Sequence, residues 1–430
     1  MLLRAVALTV ALGCQTPVAR PWTFAGLGYP SFGTVVGKAG DVNQDGTPDI
    51  VVGDPGYASE EIPPTFWIVS GRDGSILRRV VFDEGGSSCL SVDGGSDIDG
   101  DGIPDLVICA SPYLGEGKAS LAFVSGRSGA ILRRCDPRPS NCRAVEHFNG
   151  GSVQFVRDLD GDGTADVAVL CLACDGGEGA LVVRSGRTAE VLFEIPVKND
   201  CRAPTGGFVP IEDLDADGLP DFVVLMNGGI GCRATLRAYS TSRKRVIWEH
   251  RTDANWEDRA RLSGLADLDG DGVRDLAVTA EETVFVVSGK RGQLLYAIEG
   301  QGKSDIGTEF GWEIVPIEDI DGDGVPDLAL SEIDAGFSNG RVLGRSGVDG
   351  HSIWIGDGEF DEEAWHVGDE LRALGDIDGD GVSDLVAGTC GNMSRSAGLV
   401  RVFSGRDGSI LFQLTRTCDD LAVVRGKRRS

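Results

Sequence analysis

The sequence predicts an all-β fold in which seven four-stranded antiparallel blades close into one β-propeller. A nonapeptide, D-x-[DN]-x-D-G-x-x-D, occurs seven times, and its copies start 52 to 61 residues apart. A short apolar run rich in β-branched residues follows each copy, as expected of a buried strand. Glycine contributes 63 of 430 residues, about twice its usual share. Such a content is typical of a fold with many tight turns.

The first element of each repeat is an acidic loop between two strands. A Gly-rich stretch that ends in apolar residues, such as 32–37, precedes the loop, and a run such as Ile50-Val51-Val52 follows it. Both flanks predict strands, so the loop joins the first and second strands of a blade. The seven loops start at Asp41, Asp97, Asp158, Asp213, Asp267, Asp319 and Asp376.

The second element of each repeat is a hairpin that forms the third and fourth strands. It reads IVSGRDGSILRRV at 68–80, where two apolar runs flank a glycine-containing turn. A single four-stranded sheet cannot bury both faces, but seven sheets packed around an axis can. We therefore expect residues 22–418 to form one closed domain. The hairpin recurs at 123–135, 286–298 and 402–414, with degenerate versions at 183–195, 238–250 and 343–355.

These repeats resemble the FG-GAP repeats of the integrin α-subunit β-propeller and of related bacterial proteins. Phe32-Gly33 and Phe310-Gly311 match the FG element, while 52–55 and 109–112 occupy the GAP position with departures from its sequence. The resemblance implies a propeller whose loops between the first two strands bind calcium. Integrin subunits carry such loops in only some blades, whereas all seven repeats have one here. The sequence has no counterpart of the integrin leg domains or membrane span, so the resemblance supports fold and metal, not integrin function.

The loop pattern itself suits calcium, a hard cation that takes six to eight oxygen ligands. We expect the side chains at positions 1, 3, 5 and 9 and the carbonyl at position 7 to bind it, with glycine at position 6 allowing a sharp turn. An EF-hand would need a twelve-residue loop ending in Glu between helices; a plain surface turn is the other alternative. With up to seven ions, the predicted ligands are Asp41, Asn43, Asp45, Thr47, Asp49, Asp97, Asp99, Asp101, Ile103, Asp105, Asp158, Asp160, Asp162, Thr164, Asp166, Asp213, Asp215, Asp217, Leu219, Asp221, Asp267, Asp269, Asp271, Val273, Asp275, Asp319, Asp321, Asp323, Val325, Asp327, Asp376, Asp378, Asp380, Val382 and Asp384.

The net charge of −27 is matched by the 27 carboxylates of the seven loops. So acidic a chain argues against nucleic acid and against an anionic membrane surface as partners. Without metal the crowded carboxylates repel one another, so metal binding should stabilise the fold. The first loop has Asn43 in place of one Asp, and we expect its site to be the weakest.

The N-terminus predicts export. An apolar run at 5–13 follows Arg4 and is too short to span a bilayer. Residues 1–13 therefore indicate a signal peptide. Ala11-Leu12-Gly13-Cys14 resembles a bacterial lipoprotein signal, which would make Cys14 the lipidated first mature residue and the only membrane anchor. Ordinary secretion, or neither, are the alternatives. At the other end, residues 419–430 are predicted to be a basic C-terminal tail.

Ten cysteines remain after Cys14, an even number that favours disulfides in an exported protein. The lone Cys171-Leu-Ala-Cys174 motif has no second pair at zinc spacing, so we expect a local disulfide there. Neighbours in sequence suggest further pairs, although the sequence cannot fix connectivity. They are Cys135 with Cys142, Cys201 with Cys232, and Cys390 with Cys418.

No enzyme is predicted, because the sequence has no metal-binding histidine cluster, P-loop or G-x-S-x-G motif. We expect a monomeric, exported binding or adhesion module, on the cell surface or secreted, for an extracellular protein or glycan. A lectin is one alternative, and Trp256 and Trp365 between blades are its candidate ligand residues. A calcium-dependent propeller enzyme, such as a polysaccharide lyase or a phospholipase, is the other. Trp248, Trp312 and Trp354 lie near predicted strands, where core packing is expected.

Overall fold

The computed structural model describes residues 32–54, 64–82, 87–112, 119–139, 152–171, 178–198, 206–226, 234–251, 260–280, 282–300, 309–333, 340–357, 366–389, 399–416 and 421–425. Within these ranges the chain forms 29 β-strands and no helix. It follows that the described residues contain no helix able to cross a membrane.

The strands form seven antiparallel sheets, each built from one continuous stretch of sequence. The predicted seven-bladed all-β propeller is thus confirmed. Blades 1 and 2 contain β1 (Val35–Gly40), β2 (Asp49–Asp54), β3 (Thr65–Val69), β4 (Ile76–Val81), β5 (Ser87–Ser96), β6 (Asp105–Pro112), β7 (Ser120–Val124) and β8 (Ile131–Cys135). Blades 3 and 4 contain β9 (Val153–Val156), β10 (Asp166–Cys171), β11 (Glu178–Arg184), β12 (Val191–Lys198), β13 (Phe208–Ile211), β14 (Asp221–Met226), β15 (Thr235–Ser240) and β16 (Arg245–Arg251). Blades 5 to 7 contain β17 (Arg261–Gly264), β18 (Leu276–Ala280), β19 (Thr283–Val287), β20 (Leu294–Glu299), β21 (Phe310–Ile317), β22 (Asp327–Glu332), β23 (Arg341–Arg345), β24 (Ser352–Asp357), β25 (Glu370–Gly375), β26 (Asp384–Gly388), β27 (Leu399–Phe403), β28 (Ile410–Arg416) and β29 (Leu421–Arg425).

The middle strands of the blades are buried on both faces. Every residue of β2 and of β14 is buried, and so is every residue of β3. The outermost strand β4, by contrast, is mostly half-buried or exposed. Continuous apolar runs therefore occupy the strands that have a neighbouring blade on each side, and mixed sequences occupy the rim.

Seven apolar clusters hold the ring together, and each lies between two adjacent blades. The cluster that closes the ring joins Phe32 and Val36 of blade 1 to Val400 and Leu414 of blade 7. First strands of neighbouring blades also contact each other, and β1 contacts β25 in the same way. The first strands thus surround the central axis, and side-chain packing between blades closes the circle.

Blade 7 has a fifth strand. β29 pairs antiparallel with β28, from Phe412 opposite Arg425 to Arg416 opposite Leu421. It lies inside the segment predicted to be a basic tail, so the last blade extends past residue 418. The reason is the apolar stretch 421–424, which lets this segment cover an unpaired strand edge. The predicted signal peptide 1–13 and Cys14 lie outside the described residues.

All seven blades share one turn between the third and fourth strands. The pairing register shifts beside this turn in every blade, as in a β-bulge. The bulge needs a left-handed residue, supplied by Gly74 (φ 77°) in blade 1 but by Ala189 (φ 64°) and Lys244 (φ 51°) in blades 3 and 4. The degenerate hairpins therefore keep the fold of the regular ones.

Candidate metal centres in the acidic loops

Each acidic loop connects the first and second strands of its blade, as predicted. Because the blades share one topology, the seven loops lie on the same side of the propeller, which we call the acidic face. Neighbouring loops meet there: Glu212 before the loop of blade 4 accepts hydrogen bonds from the backbone amide and Nε of Arg274 in the loop of blade 5, at 2.9 and 3.0 Å. Glu318 of blade 6 likewise accepts hydrogen bonds from the backbone amide and Oγ of Ser383 in the loop of blade 7, at 2.7 and 2.8 Å.

The loop of blade 2 shows the conformation that all seven share. Asp97 Oδ2 accepts a hydrogen bond from the Gly102 amide at 2.8 Å, and Asp101 Oδ1 accepts one from the Ile103 amide at 2.9 Å. The equivalent distances in the other loops are 2.6–2.9 Å and 2.8–3.1 Å. Gly102 has φ +81°, which explains the glycine at position 6. The side chains at positions 1 and 5 thus fold the loop around a common centre.

The Asp at position 9 has a second function that the sequence does not reveal. Asp105 is fully buried; its Oδ2 accepts the Ile98 amide at 2.9 Å and its Oδ1 accepts the Gly126 amide at 2.9 Å. The other six blades repeat both contacts, at 2.7–2.8 Å and 2.9–3.2 Å. This carboxylate therefore ties the acidic loop to the turn between the third and fourth strands.

Burial dominates the electrostatics of these position-9 carboxylates. It raises the pKa of Asp105 to about 6, although the accepted amide hydrogen bonds lower it. In blade 7 burial raises the pKa of Asp384 to about 7, and Asp378 contributes to the rise. A positive charge in the loop would lower the pKa of such a carboxylate again, because it stabilises the charged form.

Carboxylates converge in several loops closely enough to share one ion. Ligand oxygens lie within 4.8 Å of one another in at least five loops, and a calcium ion with oxygens at about 2.3–2.6 Å spans that distance. Position 9 takes part in three of five such groups, and position 5 in the other two. The groups are Asp97, Asp99 and Asp101; Asp158, Asp160 and Asp166; Asp213, Asp215 and Asp221; Asp267, Asp269 and Asp271; and Asp319, Asp321 and Asp327. The carbonyls at position 7 stay a prediction.

Two of these loops contain buried carboxylate oxygens that lack a hydrogen bond. Asp215 Oδ1 and Asp271 Oδ2 have no hydrogen-bond partner among the described residues, and each side chain is only 9% exposed. Arg291 Nη1, 3.8 Å from Asp271 Oδ2, is too distant for a hydrogen bond. Buried acceptors are nearly always satisfied, so a cation in the loop fits this donor set.

The turn that contacts position 9 explains the Ser-Gly pair of the second repeat signature. A Cβ on Gly126 would lie 1.9 Å from the Pro104 carbonyl oxygen, and Gly71 and Gly405 are equally close to their own loops. In these blades glycine therefore lets the turn approach the acidic loop without a clash. In blade 4, Thr241 stands there, and its Oγ1 donates to the Pro220 carbonyl at 2.5 Å.

A basic side chain from the same turn lies on most acidic loops, which sequence reasoning missed. Arg127 Nε lies 2.5 Å from Asp101 Oδ2, and its Nη2 donates to the Asp101 carbonyl at 2.8 Å. Arg406 repeats this arrangement on Asp380, at 3.1 and 2.6 Å. The recurring Ser-Gly-Arg sequence was the available signal.

A second charged cluster lies on the inner strands. Glu313 of β21 accepts from Arg261 of β17 at 2.8 Å and from Arg372 of β25 at 2.9 Å. Arg372 also pairs with Glu370 at 2.8 Å, and Arg261 lies 4.0 Å from the centre of the Trp312 ring. Burial raises the pKa of Glu370 to about 7. The cluster joins blades 5, 6 and 7 beside the central axis.

The remaining sequence-predicted residues divide between the core and the undescribed segments. Trp354 is buried, Trp248 packs against the cluster between blades 4 and 5, and Trp312 is half-buried. Trp256 and Trp365 lie outside the described residues. No disulfide is seen among the described residues, so the predicted pairings of Cys135 with Cys142 and of Cys171 with Cys174 are not supported. Those two partners, and the pairs Cys201–Cys232 and Cys390–Cys418, also lie outside the described residues.

Fold and loops together define a seven-bladed β-propeller with an acidic loop between the first two strands of each blade. No protein-family model matches the sequence. Integrin alpha-5 of Xenopus laevis is 35% identical over 91 residues, which is 19% of this chain and 9% of the integrin. Integrin alpha-4 of Xenopus laevis is 32% identical over 153 residues, 34% of this chain and 14% of the integrin.

The sequence resemblance to the integrin α propeller is therefore confirmed, although the matched segments span less than a fifth of either integrin. Among solved structures, Saccharomyces cerevisiae Sqt1 superimposes with a TM-score of 0.52 at 10% identity, covering 93% of this chain and 97% of that one. At this identity the likeness shows the propeller fold alone.

Proposed function

We propose that this protein is an exported, calcium-loaded propeller that binds an extracellular protein or glycan. The observation that carries the calcium assignment is the pair of buried, unpartnered oxygens on Asp215 and Asp271, each inside a converging carboxylate group. The integrin similarity supports the same metal. Carboxylate-only oxygen ligands favour calcium over softer metals.

Calcium in this proposal is structural. At free calcium about ten times each Kd, one site adds ~1.4 kcal/mol to the free energy of unfolding, and seven add ~10. That sum is comparable to the entire stability of a typical domain, about 5–15 kcal/mol. Sites repeated in every blade act as staples of the acidic face, which leaves the opposite face to recognise a partner without catalysis.

The test is the calcium stoichiometry of the purified chain, combined with thermal unfolding in calcium and in chelator. We expect about seven ions per chain and a large fall in melting temperature when calcium is removed. Asp269→Asn should lower the stoichiometry by one ion, whereas Asp349→Asn, an exposed acid outside the nonapeptide, should leave it unchanged. Fewer than two ions, or melting indifferent to chelator, would overturn the proposal.

Partner recognition needs its own experiment, because the metal result does not address it. Calcium-loaded protein should be screened against immobilised glycans and extracellular matrix proteins, with chelated protein as the control. Saturable binding in calcium is the expected result. Turnover of a polysaccharide or phospholipid in the same assays would replace the binding role with an enzymatic one.

A further inference from the structure

The loops of blades 2 and 6 form a natural matched pair. They read DIDGDGIPD at 97–105 and DIDGDGVPD at 319–327, and so differ in one apolar residue. Their surroundings differ in charge. The turn of blade 2 places Arg127 against Asp101, whereas the turn of blade 6 has Val348 at that position, 52% exposed.

Blade 2 represents the common case. Arg187 donates to the Asp162 carbonyl at 2.9 Å and Lys290 to the Asp271 carbonyl at 2.6 Å, in blades 3 and 5. In blade 1 Arg72 donates to the Asp45 carbonyl at 3.4 Å, and in blade 7 Arg406 donates to the Asp380 carbonyl at 2.6 Å. In blade 4 the contact moves one residue along, to Arg243, which lies 2.7 Å from Asp215 Oδ2.

Blade 6 is the exception. Among the described residues no Lys or Arg contacts its loop. The nearest basic group is His351, whose Nε2 lies 3.6 Å from Asp321 Oδ2. Its Nδ1 lies 2.8 Å from Asp349 Oδ1, so a further carboxylate is close by. The loop of blade 6 thus has four carboxylates and, within the part of the chain that the structure describes, no arginine or lysine in contact with them.

We propose that the side chain after Ser-Gly sets the calcium affinity of the adjacent loop, and that the loop of blade 6 fills first. This inference rests on the proposed function. A guanidinium about 6 Å from a divalent ion repels it enough to lower affinity about tenfold, even at the dielectric constant of water. An arginine bound to the position-5 carboxylate also competes for that ligand. Among the described residues, neither an arginine nor a lysine exerts these effects at Asp319, Asp321, Asp323 and Asp327.

Calcium titration against a competing chromophoric chelator tests this. Asp321→Asn should abolish the first ion to bind, whereas the matched Asp99→Asn should leave it in place. Val348→Arg should weaken that ion about tenfold, and Arg127→Val should tighten another about tenfold. Val348→Leu, which keeps the site uncharged, should change nothing. Far-UV circular dichroism at saturating calcium checks that each variant is folded.

The outcomes separate the two proposals. A wild-type chain that binds no calcium would overturn the proposed function and this inference together. A wild-type chain that binds several ions, but whose first ion survives Asp321→Asn or ignores Val348→Arg, would overturn the inference alone. Equal affinities at all sites in the wild type would do the same.

Discussion

Gly126→Ala tests whether the turn and the acidic loop of a blade must approach each other this closely. The added Cβ would lie 1.9 Å from the Pro104 carbonyl oxygen and 3.1 Å from its carbonyl carbon. Ordinary contact requires more than 3 Å, so loop and turn must separate by over ~1 Å. That separation stretches the 2.9 Å hydrogen bond from the Gly126 amide to the buried Asp105 carboxylate.

Two terms set the magnitude. Overpacking a tight contact costs about 1–3 kcal/mol, and a hydrogen bond to a charged group contributes about 1.5–3 kcal/mol. We expect Gly126→Ala to lower the free energy of unfolding by about 3–5 kcal/mol. Because the clash is between protein atoms, the loss should be present in chelator as well as in calcium.

Urea unfolding measures this loss, with two matched controls. Gly102→Ala adds a Cβ in open space at φ +81°, so only the left-handed strain of about 1–2 kcal/mol applies. Thr241→Gly in blade 4 removes a hydroxyl bonded to the Pro220 carbonyl and should cost about 1 kcal/mol. If Gly126→Ala costs no more than Gly102→Ala, the close approach does not constrain the fold.

Three further predictions concern pH, the first loop and the last strand. In chelator, thermal stability should rise as pH falls from 7 to 5, because burial raises the pKa of Asp49 to about 6 and of Asp384 to about 7. The folded chain then holds protons that the unfolded chain, with ordinary aspartate pKa values, releases; a falling melting temperature would contradict this. Asn43→Asp should raise the calcium affinity of the first loop several-fold, since it adds a carboxylate and removes the amide that donates to Asp45 at 3.0 Å. Isothermal titration calorimetry measures this, and an unchanged affinity at the weakest site would show that ligand charge does not matter. Ending the chain after residue 420 removes β29 but not the cluster that closes the ring between blades 7 and 1. The shortened protein should therefore fold, and its free energy of unfolding in urea should be about 1–3 kcal/mol lower. Failure to fold would show that β29 is needed for closure.

Periodicity in the sequence was enough to predict the blades and the place of each acidic loop. Strand formation and loop turning depend on residues a few positions apart: the fully buried run in β2 and the left-handed Gly102 are both readable from local pattern. The seven-fold repeat then indicated closure, since one sheet cannot bury both faces. The disulfide predictions involving Cys135 and Cys171 rested on no such pattern, and their predicted partners lie outside the described residues.

The surroundings of each loop depend on how distant parts of the chain pack together. Arg127 lies 26 residues from Asp101, and the turn that carries it reaches the loop only after four strands have paired. The hydrogen bond that the Gly126 amide donates to Asp105 from 21 residues away, like the Glu313 cluster shared by blades 5, 6 and 7, also combines residues far apart in the chain. The number of carboxylates in each loop can be counted from the nonapeptide alone. Which loops are left without an arginine or lysine depends on how the hairpin folds back, because electrostatic contacts follow distance in space and not separation along the chain.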